Sequence, residues 1–213
     1  MLYFDAIIFF FCLRKLTILF SFSFPLSTFM LIFVVKNNIY MERSESVFDN
    51  NTVEFVTVAA RYCALMEGLA GRDKDELVDT VVRILPLLYL KATLLPSCER
   101  MDFTDPAQVV DEDEYEFVRR GVHNLLGADD DYLEVFSPDM AYSEGALGAE
   151  ISEDLADIYQ DVKNFVGAFA TGVNMTMNDA LVICREHFEL YWGQRLVNTM
   201  RALHQVKYGA PEI

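Results

Sequence analysis

Ser152 to Ala170 reads SEDLADIYQDVKNFVGAFA, and its spacing decides the fold class. Leu155, Ile158, Tyr159, Val162, Phe165, Val166 and Phe169 recur every three or four residues, the period of one helix face and not the alternation of a strand. Ser152 stands where an N-cap hydroxyl accepts free amides, and Glu153 with Asp154 follows where the positive end of the helix dipole favours acids. Gly172 supplies the stop. The pattern predicts an amphipathic helix over about 152–170.

Outward from it the same period continues. From about Met177 to Val206, Leu181, Cys184, Phe188, Trp192, Leu196, Thr199, Leu203 and Val206 lie along one line. Val182, Leu190, Val197 and Met200 form a second strip, so this longest helix should be contacted from two sides. Upstream, helices are expected over about 52–69 with Asn51 as cap, about 75–95, and about 112–126 ending at Gly127. The 75–95 helix is apolar nearly all round from Ile84, as a central buried helix would be. Pro86 removes a backbone donor inside it, so a kink or two abutting helices is expected there. Residues 128–150 are the least regular, a loop with one short helical turn near 132–136. These elements make an all-α, single-domain helical bundle of about five main helices.

The first forty residues are of another kind. They hold nine of the seventeen Phe and a single acidic residue, Asp5, whereas 32 acidic residues face 14 basic ones from Met41 onward, a formal charge of −18. The chain therefore divides into an apolar leader, 1–40, and an acidic helical domain, 41–213. Leu16 to Val35 carries no charge, and twenty helical residues at roughly 1.5 Å each span about 30 Å, a bilayer core. No small-residue cleavage site follows Val35, and Arg14 and Lys15 at one end balance Lys36 and Arg43 at the other, so no orientation is specified. The leader's residues are also those that AT-rich DNA encodes when read through. We carry forward a start at Met41, with a membrane tether through 16–35 and an added core element as alternatives.

Cys63, Cys98 and Cys184 are odd in number from Met41 on and form no Cys-x-x-Cys pair, which points to core thiols and a reducing, cytoplasmic compartment. So acidic a domain disfavours nucleic acid, whose binding rests on basic neutralisation of phosphates. No membrane is expected as partner unless residues 1–40 are genuine.

The candidate chemistry lies beside the apolar stripes. Asp154, Asp157 and Asp161, spaced i, i+3 and i+7, put three carboxylates on one side of a helix, where like charges cost about 0.2–0.5 kcal/mol per pair. A cation should offset them. Arg195 falls inside the apolar stripe of the last helix, between Trp192 and Thr199, and a buried guanidinium needs a carboxylate. Lys91, in the apolar half of the 75–95 helix, poses the same question. The expectation is a structural ion-pair network joining these three helices, with a ligand or partner site on Asp154, Asp157, Asp161, Arg195, Lys91 and Trp192 as the functional alternative. Glu150 with Glu153, and Glu186 with Glu189, give two Glu-x-x-Glu pairs resembling the paired acids of helical nucleotide pyrophosphohydrolases, where carboxylates one turn apart hold Mg²⁺. Glu-x-x-His, the ligand pair of di-iron bundles, is absent. No cofactor is expected.

Ile84 to Pro96 (ILPLLYLKATLLP), Ile151 to Phe165 (ISEDLADIYQDVKNF) and Tyr191 to His204 (YWGQRLVNTMRALH) resemble the bacterial family called domain of unknown function 5063. The resemblance covers about Thr52 to Tyr208. It implies an all-helical bacterial protein beginning near Met41 and carries no reaction, cofactor or catalytic residue. The residues themselves point to a protein-interaction or adaptor domain without its own catalysis, acting on a protein partner the sequence does not identify. The alternative is a Mg²⁺-dependent hydrolase of nucleotide-like phosphates.

Overall fold

Apolar stripes at helical spacing become helices that share one core. The structure is a computed structural model that describes residues 46–102, 104–134 and 147–209; the readings made of 1–40 lie outside them. Helix α1 spans Asn50–Glu67, α2 Lys74–Thr93, α3 Glu112–Leu126 and α4 Ile151–Ala170. Helix α5 spans Asn174–His187 and runs through a π-helical turn, Phe188–Trp192, into α6, Gly193–Tyr208. Local chemistry sets the ends. Asp49, Asp73 and Asp111 each accept an amide of the first turn that follows, at 2.8, 2.8 and 2.9 Å, as N-caps do. The cap of α1 is thus Asp49 and not Asn51, whose amide is the donor. Gly127 closes α3 with φ +58°, backbone that favours glycine.

Helix α4 is the centre of the bundle, packed against α1, α3, α5 and α6. Its stripe meets an aromatic cluster in which Phe55 lies 5.2 Å from Phe165 and 6.5 Å from Trp192, and Trp192 lies 4.7 Å from Phe188. Tyr62 is also fully buried and donates to the Leu155 carbonyl at 2.8 Å. Cys63 and Cys184 are buried, free thiols; burial pushes the Cys63 thiol up to about 12.

Three expectations are corrected. The helix 75–95 is not central: among the described residues the main contacts of α2 are with α1 and α6, and Leu87, Leu90 and Leu94 in its apolar half are exposed. Of the two alternatives at Pro86, abutting helices are excluded, since it lies inside a single helix. The turn near 132–136 is extended where described, as β1, Asp131–Leu133, paired antiparallel with β2, Gly148–Glu150, with Tyr132 opposite Ala149. This small ladder continues through Ile151 N–H to the Asp130 carbonyl at 2.9 Å, which satisfies backbone groups up to the first residue of α4. No helix among the described residues is long and apolar enough to cross a membrane.

Candidate functional site

Antiparallel packing of α4 against α5 and α6 brings the predicted charges together. His187 meets Asp161, Tyr191 meets Asp157, and Arg195 and Thr199 meet Asp154. Asp154 is fully buried. Arg195 Nη1 donates to it at 2.9 Å, Thr199 Oγ1 at 2.7 Å, and the Tyr132 hydroxyl also donates to it. Burial lifts the Asp154 carboxyl above its usual range, with the three donors pulling the other way. Asp157 accepts from Tyr115 at 2.9 Å and from Tyr191, and lies 3.8 Å from Arg195 Nε. The Arg195 guanidinium stacks over the Tyr191 ring, 5.4 Å from its centroid, a favourable cation–π position. Burial works against its charge, but the Asp154 bond together with the negative charges of Asp154 and Asp157 and the neighbouring Tyr191 outweighs it and holds the proton more firmly than usual. Both carboxylates of this group meet donors from inside the protein, so its chemistry is cohesive.

The other predicted residues stand apart from it. Asp161 pairs with His187 Nδ1 at 2.6 Å; its carboxyl is raised by burial, against the pull of His187. Lys91 pairs with Glu54 of α1, so it ties α2 to α1 and not to α4. Trp192 is fully buried, and its Nε1 donates to the Cys184 carbonyl at 3.2 Å; the ring belongs to the core. The four glutamates do not converge. Glu150 and Glu153 sit at the start of α4, whereas Glu186 and Glu189 sit beside the level of Asp161, about 12 Å further along at ~1.5 Å per residue. Glu150 lies 3.5 Å from Arg119, and Glu189 3.0 Å from Arg185.

Periodicity gave no sign of two further constellations. In the first, Asp130 is buried at the entrance to α4 and accepts the Ser152 amide, the Ser152 hydroxyl and His123 Nδ1, each at 2.7 Å. Ser152 is therefore held by Asp130 and does not cap the helix itself. His123, Asp130 and Glu150 each bring one ligand atom within 4.8 Å of the others. Asp130 lies between serine and histidine, which is not the order of a nucleophile, base and orienting acid.

The second is a cleft of about 430 Å³ between α4, α5 and the segment joining α2 to α3. That segment is held at both ends by buried or half-buried side chains. Asp179 of α5 accepts the amides of Met101 and Asp102 at 2.6 and 2.7 Å, and Asn178 donates to the Glu99 carbonyl at 2.8 Å. Asn164 of α4 accepts the amides of Val109 and Val110 at 2.7 and 3.0 Å. Arg100, Gln160, Asp161, Cys184, His187 and Tyr191 are among the residues that line the cleft.

A family model described as a domain of unknown function, DUF5063, matches residues 46–209. Among solved structures, a crystal structure of protein BF1032 from Bacteroides fragilis is similar, at 49% identity and a TM-score of 0.72 over 79% of this chain and 99% of that one. No curated protein matches the chain.

Proposed function

This chain belongs to the DUF5063 family, a domain of unknown function, and on that premise we propose that it is a protein-interaction domain without its own catalysis. The observation that carries this is the outer face of α2. Leu87, Leu90 and Leu94, spaced i, i+3 and i+7, are 49%, 51% and 44% exposed. Such a stripe, left uncovered beside a core that α2's other face completes, is the shape that an amphipathic helix fits, reading anchors at the same spacing.

Charge narrows the partner. The chain carries a formal −16, and like-charged surfaces hold copies of one protein apart, so a second copy is disfavoured on this face. A helix with apolar anchors and basic flanks is favoured. Changing Leu87, Leu90 and Leu94 together to Gln should move stability little, since exposed substitutions stay within about 0.5 kcal/mol each and Leu94 caps α2 through its backbone N–H. It should remove capture of the partner from native cells. A folded triple variant that recovers the same proteins as the wild type overturns the proposal.

A further inference from the structure

The cleft between α4 and α5 contains an arginine whose bonding is incomplete. Arg100 Nη1 binds Asp105 at 2.8 Å. Its Nε and Nη2 are shielded from solvent and meet no acceptor among the described residues. Those two nitrogens form the edge of the guanidinium that grips a carboxylate or phosphate through two parallel bonds. A shielded, charged donor without an acceptor is costly, and native structures keep few of them. The segment bearing Arg100 is not slack: Asp179 and Asn178 fix the backbone on either side of it, and Asn164 fixes the far end. The protein thus holds the backbone of an incompletely bonded arginine in place at the rim of its cleft.

The remaining wall says what the cleft accepts. His187 comes from α5 with Nδ1 engaged by Asp161, which leaves Nε2 on the ring's other side, while Gln160 and Tyr191 add polar groups. Asp161 has His187 and Asp105 has Arg100 as partners, whereas Glu186, also in the wall, pairs with no cation among the described residues and repels a polyanion. We propose that this cleft binds a small oxyanion-bearing molecule, a carboxylate or a monophosphate, through the Nε and Nη2 edge of Arg100. Arg100 keeps about a third of its side chain exposed (33%), so the free edge can turn to an incoming oxyanion by a change of rotamer. The inference is independent of the α2 face.

The test is calorimetric titration of the full chain with sodium phosphate and, separately, sodium glutarate, with sodium chloride matching ionic strength. Saturable heat with either is expected at millimolar concentration, the range of a single charged contact of about 4 kcal/mol, and which salt gives it identifies the source of the oxyanion. His187 ring resonances should shift on binding, which places the ligand in the cleft. Arg100→Lys keeps the charge and loses the fork, and should weaken binding at least tenfold. Arg100→Gln should abolish it and lower the Tm only slightly, because the one bond lost is the Nη1 pair with the exposed Asp105, and such pairs are worth little. The proposal is overturned if neither anion binds, if binding leaves His187 unmoved, or if Arg100→Lys binds as the wild type does. A large fall in Tm for both variants overturns it too, since Arg100 would then be a strut.

Discussion

Asp154 and Arg195 show what a helical wheel can reveal about a residue and what it leaves out. The pair was legible because a guanidinium inside an apolar stripe has few ways to be satisfied, and α4 offers carboxylates at matching intervals. Thr199, Tyr132, Tyr115 and Tyr191 were not. Their hydroxyls reach Asp154 or Asp157 from four different elements, and no one-dimensional period encodes that convergence. Lys91 failed for the opposite reason: an exposed neighbour on α1, Glu54, lay within reach of its long stem. The same inventory sets the cost of breaking the pair. Removing one partner of a fully buried ion pair costs about 3–5 kcal/mol, but Arg195 is 29% exposed, and Asp154 would keep two hydroxyl donors. We expect Arg195→Met to destabilise by about 1.5–3 kcal/mol, the range of one bond to a charged group, measured by urea unfolding. An unchanged midpoint would show that Thr199 and Tyr132 suffice alone.

The last helix departs from a uniform α pattern at the element scale, and here the sequence held a readable sign. Cys184, Phe188, Trp192 and Leu196 are separated by three consecutive intervals of four. At ~3.6 residues per turn such a stripe drifts round an α-helix, gaining about one residue over three turns. The π turn at Phe188–Trp192 absorbs that residue and keeps all four side chains facing the core. Gly193 makes the turn possible. Its amide bonds the Phe188 carbonyl five residues back, and a Cβ there would stand 2.4 Å from that oxygen and 2.9 Å from the Phe188 ring. Gly193→Ala should therefore cost about 1–3 kcal/mol, as overpacking does, while Gly148→Ala, whose Cβ meets nothing within 4 Å, should be nearly neutral. Equal melting of the two variants would remove the steric argument. Asn164, Asn178 and Asp179 were unreadable at this scale because each looks like an ordinary polar position until the 99–110 segment is seen against it.

For the whole molecule, charge imbalance competes with local pairing. Arg119 and Arg120 share Glu116, and Lys207 and Arg83 share Asp79, so salt weakens several surface bonds worth little each. It also screens 33 acidic residues set against 17 basic ones, whose mutual repulsion opposes compaction. The imbalance is larger than the number of these pairs, and the Debye length falls from about 30 Å at 0.01 M to about 8 Å at 0.15 M. Raising sodium chloride across that range should raise the Tm in a thermal scan; a fall would mean that the paired networks dominate. The clamped 99–110 segment has a bearing on the molecule's lifetime as well. Proteases cut where chain can be drawn out into their active sites, and long irregular stretches between helices are ordinarily where they succeed. This one is stitched to two helices near its ends by its own amides, so those ends resist being drawn out, and a first cut within it is expected in the mostly exposed stretch 104–108.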